Sequence, residues 1–188
     1  MARTKDREKP AQIIEAAFKV FGDVGYEATV IKDIADRAGI APGTIYTYFE
    51  DKKDLFRATV QEGWDRFLRE MRSLVESDAP VETRLREFID TGFLNLKRYL
   101  PLLRGMLFES SQMNILQEKL GEFFGLVEKL LASRAARRAA PVEPRHRSLV
   151  VKVTVVGVLF TAAMADPAKV DTEIDRLKAG ISAMVFGG

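Results

Sequence analysis

Residues 43–49, Gly-Thr-Ile-Tyr-Thr-Tyr-Phe, gather two threonine hydroxyls and two phenols into one short segment. Such groups donate and accept hydrogen bonds without carrying charge, which suits phosphate oxygens and base edges. In a helix each residue advances about 100°. Ile45 and Phe49 then share an apolar face that must turn inward. Thr47 lies on the opposite side, with Gly43 and Thr44 near it, and Tyr46 and Tyr48 flank the boundary. A surface of this kind fits the major groove of a DNA duplex. Gly43 permits close backbone approach, the threonines reach base edges or phosphate, and the tyrosines reach phosphate while their rings pack on sugars or a thymine methyl. Lys52, at the start of the next helix, is placed to meet phosphate, and Lys32 can reach backbone or a base edge. Arg3, Lys5, Arg7 and Lys9 add non-specific attraction. A pair of tyrosines alone is more often half-buried packing. The combination of capped helix, glycine turn, small outward face and flanking tyrosines is what points to DNA.

The surrounding sequence reads as helices that would hold this segment in place. Ile14, Ala17, Phe18 and Phe21 follow one-faced helical spacing, with Pro10 suited to a first turn and Gly22 and Gly25 marking the end. Thr29 is an expected N-cap for a short helix burying Ile31, Ile34, Ala35 and Ala38, and Gly39 closes it. The turn Ile40-Ala41-Pro42-Gly43 leads into a third helix from Thr44 to about Glu50. Asp51 caps a long helix through Leu55, Phe56, Val60, Trp64, Phe67, Leu68 and Met71. Further helices are expected from Val81 to about Tyr99, from Pro101 to near Ser110, from Asn114 to Arg138, from Ser148 to Ala165 and from Asp171 to about Val185. The stretch from Ala135 to Arg147, with Arg137, Arg138, Arg145 and Arg147, reads as an exposed basic linker. Val150 to Leu159 is rich in β-branched residues and is the least helical of these segments.

The residues Ala16-Ala17, Phe21, Gly25-Tyr26, Ile34-Ala35, Ala38-Gly39, Gly43-Thr44-Ile45-Tyr46, Tyr48-Phe49, Lys52 and Leu55-Phe56 closely resemble the N-terminal domain of TetR-family regulators. The resemblance covers residues 13 to 56, about a quarter of the chain. It implies an all-α fold, with a three-helix helix-turn-helix head over residues 1–50 and a ligand-binding and dimerisation body over 51–188. It also implies a homodimer on a palindromic operator and DNA contacts at Lys32, Thr44, Tyr46, Thr47, Tyr48 and Lys52. Ala41 and Pro42 stand where many family members carry Ser or Lys.

Composition narrows the chemistry further. The chain has no cysteine and a single histidine, His146, which argues against disulfides, thiolate chemistry and multi-imidazole metal sites. No nucleophile elbow, phosphate-binding glycine loop or carboxylate pair outside caps and solvated faces is present, so no catalytic residue, metal or cofactor is expected. With no signal peptide evident, the cytoplasm is the expected location. Leu149 to Ala165 is apolar but shorter than the roughly 20 residues a bilayer requires. Basic and acidic side chains balance across residues 1–57, against a net charge of +2 for the chain. That balance argues against a non-specific architectural DNA binder, which depends on phosphate neutralisation.

The body is rich in aromatic and adaptable side chains: Trp64, Phe67, Phe88, Phe93, Met106, Phe108, Met113, Phe123 and Phe124. Phe67, Phe88, Phe93, Met106 and Phe124, with Arg104 and Glu109 as polar groups, are the candidate lining for a small hydrophobic or amphipathic effector. Asn95 is a further polar candidate. Residues 148–165 are apolar over more than half their circumference. Together with the stripe Ile174, Leu177, Ile181, Met184 and Val185 of residues 171–185, they are the candidate four-helix dimer interface.

Overall fold

A computed structural model describes residues 2–108, 113–135 and 144–186. These residues form eight helices and no strand: α1 Ala2–Ala28, α2 Ile31–Ala38, α3 Pro42–Ile45, α4 Lys52–Glu76, α5 Val81–Phe108, α6 Met113–Ala135, α7 Pro144–Met164 and α8 Val170–Phe186. The fold is all-α. Glu109, Arg137 and Arg138 lie outside the described residues, as do the side chains of Arg3, Lys5, Arg7, Phe108, Met113, Arg145 and Arg147.

The helices group into two compact units, residues 1–66 with 101–115 and residues 67–100 with 116–188. This division differs from a cut at residue 50. The first half of α4 packs with the head, and so do the last turns of α5, so both helices contribute to each unit.

In the first unit the core is Ile13, Ala17, Phe21, Ile34, Ala35, Ile45, Leu55 and Phe56, all fully buried. The aromatic rings meet at specific angles: Phe56 lies edge-on to Phe21, with centroids 5.0 Å apart, and tilted to Tyr26 at 4.7 Å. Polar ties cross between helices at the surface. Gln12 Nε2 donates to the Ala38 carbonyl at 2.7 Å, joining α1 to the end of α2. Arg66 on α4 donates to Glu15 at 2.7 Å and to Glu62 at 2.9 Å. Those hydrogen bonds, the one to Glu15 foremost, raise the guanidinium pKa above its ordinary value.

Local structure departs from the sequence expectation at several places. Pro10 lies inside α1, which starts at Ala2, and not in a first turn, and α7 starts at Pro144 instead of Ser148, taking the end of the expected linker into the helix. Thr29 does not cap α2. The N-cap is Val30, with no side-chain bond, and Thr29 is buried with its Oγ1 donating to the Gly25 carbonyl at 2.6 Å. Gly25 sits at φ +80°, which breaks the helical backbone and frees that carbonyl, and the hydroxyl satisfies it. The third helix begins two residues early because Pro42 occupies the first helical position after an extended Ala41. It then tightens: Thr47 N–H bonds the Thr44 carbonyl at 3.2 Å and Tyr48 N–H the Ile45 carbonyl at 3.0 Å. Pro101 lies inside a continuous α5 instead of starting a new helix. Proline removes one backbone donor there, but Leu100, Leu102, Leu103 and Met106 are buried around it, and that packing keeps the helix unbroken.

The second unit has its own core, formed by Leu68, Met71, Val75, Val81, Leu85, Phe88, Leu126 and Leu130, with Phe67, Phe123, Val185 and Phe186 packed against it. Ion pairs fasten α8 to α5, among them Lys97 to Asp175 at 2.8 Å and Lys178 to Asp90 at 2.7 Å. The β-branched stretch from Val150 to Leu159 is helical throughout, inside α7. Leu149, Val153, Val156, Phe160 and Met164 of α7 are all exposed and recur at spacings of three and four, so they form one apolar stripe. No helix among the described residues is long and apolar enough to cross a membrane.

Gly105 sets the approach of the end of α5 to the head. A Cβ there would lie 2.8 Å from Phe56 Cζ and 3.3 Å from Tyr26 Cβ. We predict that Gly105→Val destabilises the fold by roughly 1–3 kcal/mol through overpacking, whereas Gly121→Ala, with open space around it, stabilises by about 0.5–1 kcal/mol through helix propensity. Denaturant midpoints of the two variants moving in the same direction would contradict this packing.

Candidate nucleic-acid interface

Two buried anchors orient the recognition segment. Ile45 is 0% and Phe49 7% exposed, and Phe49 N–H closes on the Ile45 carbonyl at 3.0 Å. With those side chains inside, the residues between them turn out. Tyr46 is 56% exposed, Thr47 and Gly43 are exposed, and Thr44 and Tyr48 are half-buried. Thr47 Oγ1 lies 3.4 Å from the Gly43 carbonyl, a long contact that leaves the hydroxyl able to turn outward. A Cβ at Gly43 would meet nothing within 4 Å, so its backbone is open to a ligand.

The segment is held in position by the turn before it and the cap after it. Gly39, at φ +66°, ends α2 in the left-handed conformation that glycine tolerates. The Gly39 N–H returns to the Asp36 carbonyl at 3.2 Å and the Ile40 N–H to the Ala35 carbonyl at 3.0 Å. Ala41 and Pro42 are exposed and bring no polar side chain to the turn. Beyond the segment, Asp51 Oδ1 accepts from Asp54 N–H at 2.7 Å, and Asp54 Oδ2 accepts from Glu50 N–H at 3.2 Å. These reciprocal bonds fix the entry to α4. Lys32 is exposed on the first turn of α2.

Lys52, the expected phosphate contact, turns its ammonium toward the end of α1 in this structure. Its ammonium donates to the carbonyls of Tyr26 at 3.0 Å, Thr29 at 3.1 Å and Glu27 at 3.4 Å. It also sits 4.5 Å from the centroid of the Tyr26 ring. The sequence held a signal for this in the Gly25 break, because a break leaves carbonyls that need donors. Nothing in the spacing, however, linked position 52 to positions 26–29.

The residues proposed to line an effector site fall in different units. Phe67 and Phe88 belong to the core of the second unit, where Phe123 stacks on Phe88 at 5.6 Å and lies 5.3 Å from Phe67. Phe123, the neighbour of the expected Phe124, is thus the ring that joins them. Phe93 is buried in the same unit and Phe124 is half-buried there. Arg104 and Met106 lie in the first unit, the former half-buried and the latter buried. Asn95 is buried and donates to Glu70 at 3.0 Å and to the Thr91 carbonyl at 2.9 Å, so its amide hydrogens serve the fold.

Residues 13–59 match the family model described as bacterial regulatory proteins, tetR family. The HTH-type transcriptional regulator BetI of Cronobacter sakazakii is 30% identical over 144 residues, which is 73% of this chain and 68% of that protein. The fatty acid metabolism regulator protein of Bacillus subtilis is 34% identical over 87 residues, or 46% of this chain. That match spans 45% of the relative, less than half its length. The solved structure of the fatty acid degradation regulator FadR from Bacillus halodurans is similar with a TM-score of 0.65 at 25% identity, covering 92% of this chain and 96% of that one.

Burial separates anchoring from contact. We predict that Ile45→Ala lowers unfolding free energy by roughly 2–4 kcal/mol, while Tyr46→Ala changes it by less than about 0.5 kcal/mol. Chemical denaturation of both variants checks this. Equal losses would mean that the tyrosine ring is part of the core.

Proposed function

This chain belongs to the TetR family of bacterial regulatory proteins, and we propose that it is a transcriptional repressor that binds a palindromic DNA operator as a homodimer and leaves it when a fatty acyl effector binds. The observation that carries the DNA reading is the outward Gly43, Tyr46 and Thr47 on a segment anchored by buried Ile45 and Phe49. In this reading Gly43 lets the backbone approach the groove. Thr44 and Thr47 reach base edges or phosphate, Tyr46 and Tyr48 brace the sugar-phosphate backbone, and Lys32 adds a charged contact.

A recognition segment this short makes few base contacts, so two copies on successive major-groove faces are needed for specificity. A two-fold dimer spaces them about one helical turn apart. The second copy is assigned to the apolar stripe of α7, with α8 beside it. A row of five large apolar side chains left in water is costly, and a twin stripe covers it with the same chemistry.

The effector assignment has two supports. One is the naming of similar proteins as regulators of fatty acid metabolism and degradation. The other is the aromatic stock of the second unit, Phe67, Phe88 and Phe93, whose apolar character suits a long apolar chain. A tenfold loss of operator affinity needs only about 1.4 kcal/mol of differential binding between two conformations.

The test is selection of duplexes from a random-sequence library by the purified protein, followed by gel shift. Enrichment of an inverted repeat is expected, and failure to enrich any sequence would overturn the proposal. Tyr46→Ala should weaken binding to the selected duplex at least about tenfold while sedimentation shows an unchanged dimer, and undiminished binding would remove Tyr46 from the contact surface. Gly157→Leu should convert dimer to monomer. A Cβ at this exposed position meets no neighbouring helix within 4 Å, so a normal dimer would refute the α7 assignment. Oleate and an oleoyl thioester should release the selected duplex, and no release by either would set aside the fatty acyl class.

A further inference from the structure

We propose that the side-chain oxygen of Asn95 accepts a hydrogen bond from an uncharged N–H or O–H group of the effector, whose apolar chain runs from there along α5 toward Phe88. This inference rests on the fatty acyl reading above and assigns the chemistry at the head of the chain.

Among the described residues the buried polar side chains are Thr29, Thr59 and Asn95, the last 4% exposed. Each threonine spends its hydroxyl on the carbonyl four residues back. Asn95 differs, because a carboxamide has two functional edges. Its Nδ2 donates to Glu70 Oε2 at 3.0 Å and to the Thr91 carbonyl at 2.9 Å. A carboxylate and a carbonyl only accept, so the amide cannot turn over and offer them its oxygen. Oδ1 is therefore fixed on the opposite edge, and both hydrogen bonds of Asn95 leave its lone pairs for a donor from outside the fold. A buried acceptor without a donor is unfavourable, and a ligand that brings one recovers the loss. The Glu70 carboxylate polarises the amide from its nitrogen side and enriches Oδ1 in negative charge. A free carboxylate is repelled there, and an uncharged donor is favoured.

The same face of α5 supplies a path for the chain. Asn95 and Phe88 are two helical turns apart, so they point the same way, about 10 Å from one another along the axis. Gly92 lies between them, and a Cβ there would meet Met71 Cε at 3.8 Å. The strip from Asn95 to Phe88 thus includes bare backbone covered by the end of an unbranched side chain. Met71 is fully buried, and its thioether arm turns about several bonds, so it can vacate the strip for an acyl chain. Past Phe88 the apolar surface continues over the ring of Phe123, 5.6 Å away, and on to Phe67, 5.3 Å further. All of these residues belong to the second unit. A fixed acceptor at one end and adaptable apolar groups at the other match an amphipathic molecule with an uncharged head.

The test compares oleoyl compounds that differ only at the head. N-methyloleamide carries an N–H where methyl oleate has an ester oxygen, and oleyl alcohol carries an O–H that its methyl ether lacks. Binding to the full chain is measured by titration calorimetry from a cyclodextrin carrier. In at least one pair the donor-bearing member should bind about tenfold more tightly, and which pair shows it separates an N–H from an O–H head. Oleate should bind more weakly than that preferred compound. Asn95→Ser withdraws the amide oxygen while its hydroxyl can still donate to the Thr91 carbonyl. It should bring the two members of the pair to within about twofold of each other, and Asn95→Leu should do the same. The comparison on wild-type protein needs no variant, so it decides the matter even where both variants fold poorly. Equal affinity within both pairs would overturn the proposal. So would a preference that survives in folded Asn95→Ser protein, or oleate binding as tightly as the preferred compound. No binding of any oleoyl compound would instead refute the fatty acyl reading itself, so the two failures are separable.

Discussion

Burial of Ile45 and Phe49 is the constraint on which the rest of the recognition segment depends. Both side chains enter a core already filled by Phe21, Ile34, Leu55 and Phe56. Interiors are packed as densely as organic crystals, so the register of the segment cannot slip by a residue without placing a polar group inside. The outward display of Gly43, Tyr46 and Thr47 is the other side of that requirement. No interaction with the exposed side chains themselves is needed to produce it.

Backbone chemistry supplies the second layer of control. Gly25 and Gly39 are the two described glycines with positive φ, and they bracket α2. Each ends a helix and releases carbonyls, and the two ends are satisfied differently. After Gly39 the chain's own N–H groups return to Ala35 and Asp36, so the turn is self-contained. After Gly25 the donors are side chains, Thr29 from within the turn and Lys52 from a residue 23 positions beyond Thr29. The first arrangement makes a local turn. The second makes the turn dependent on another helix, and a part of the head that must aim at a ligand profits from that dependence.

The second unit has a different physical character. Its core is aromatic and aliphatic, with Phe67, Phe88 and Phe123 in ring contact, and charged pairs on its surface tie α8 to α5. Exposed pairs of this kind contribute little to stability, of the order of 0–1 kcal/mol, so cohesion comes from the buried side chains. Helix α7 buries Val151, Ala162 and Ala163 and leaves its larger apolar residues outside. That inversion of the usual order is what the proposed pairing with a second copy of the chain rests on.

The sequence by itself determined the all-helical character and the three-helix head, because helical spacing, glycine stops and the Asp51 cap are local signals that each span a few residues. It also determined which way the recognition segment faces, since a 100° advance per residue separates Ile45 and Phe49 from Thr47. Tertiary structure alone decided the partners of Lys52, the role of Thr29, the continuity of α5 through Pro101 and the ring contacts of Phe123 with Phe67 and Phe88. Each of those depends on what a distant part of the chain presents. A carbonyl orphaned at residue 26 or the face of the ring at residue 88 has no trace in the spacing of neighbouring residues. Each is met by whichever side chain folding brings there.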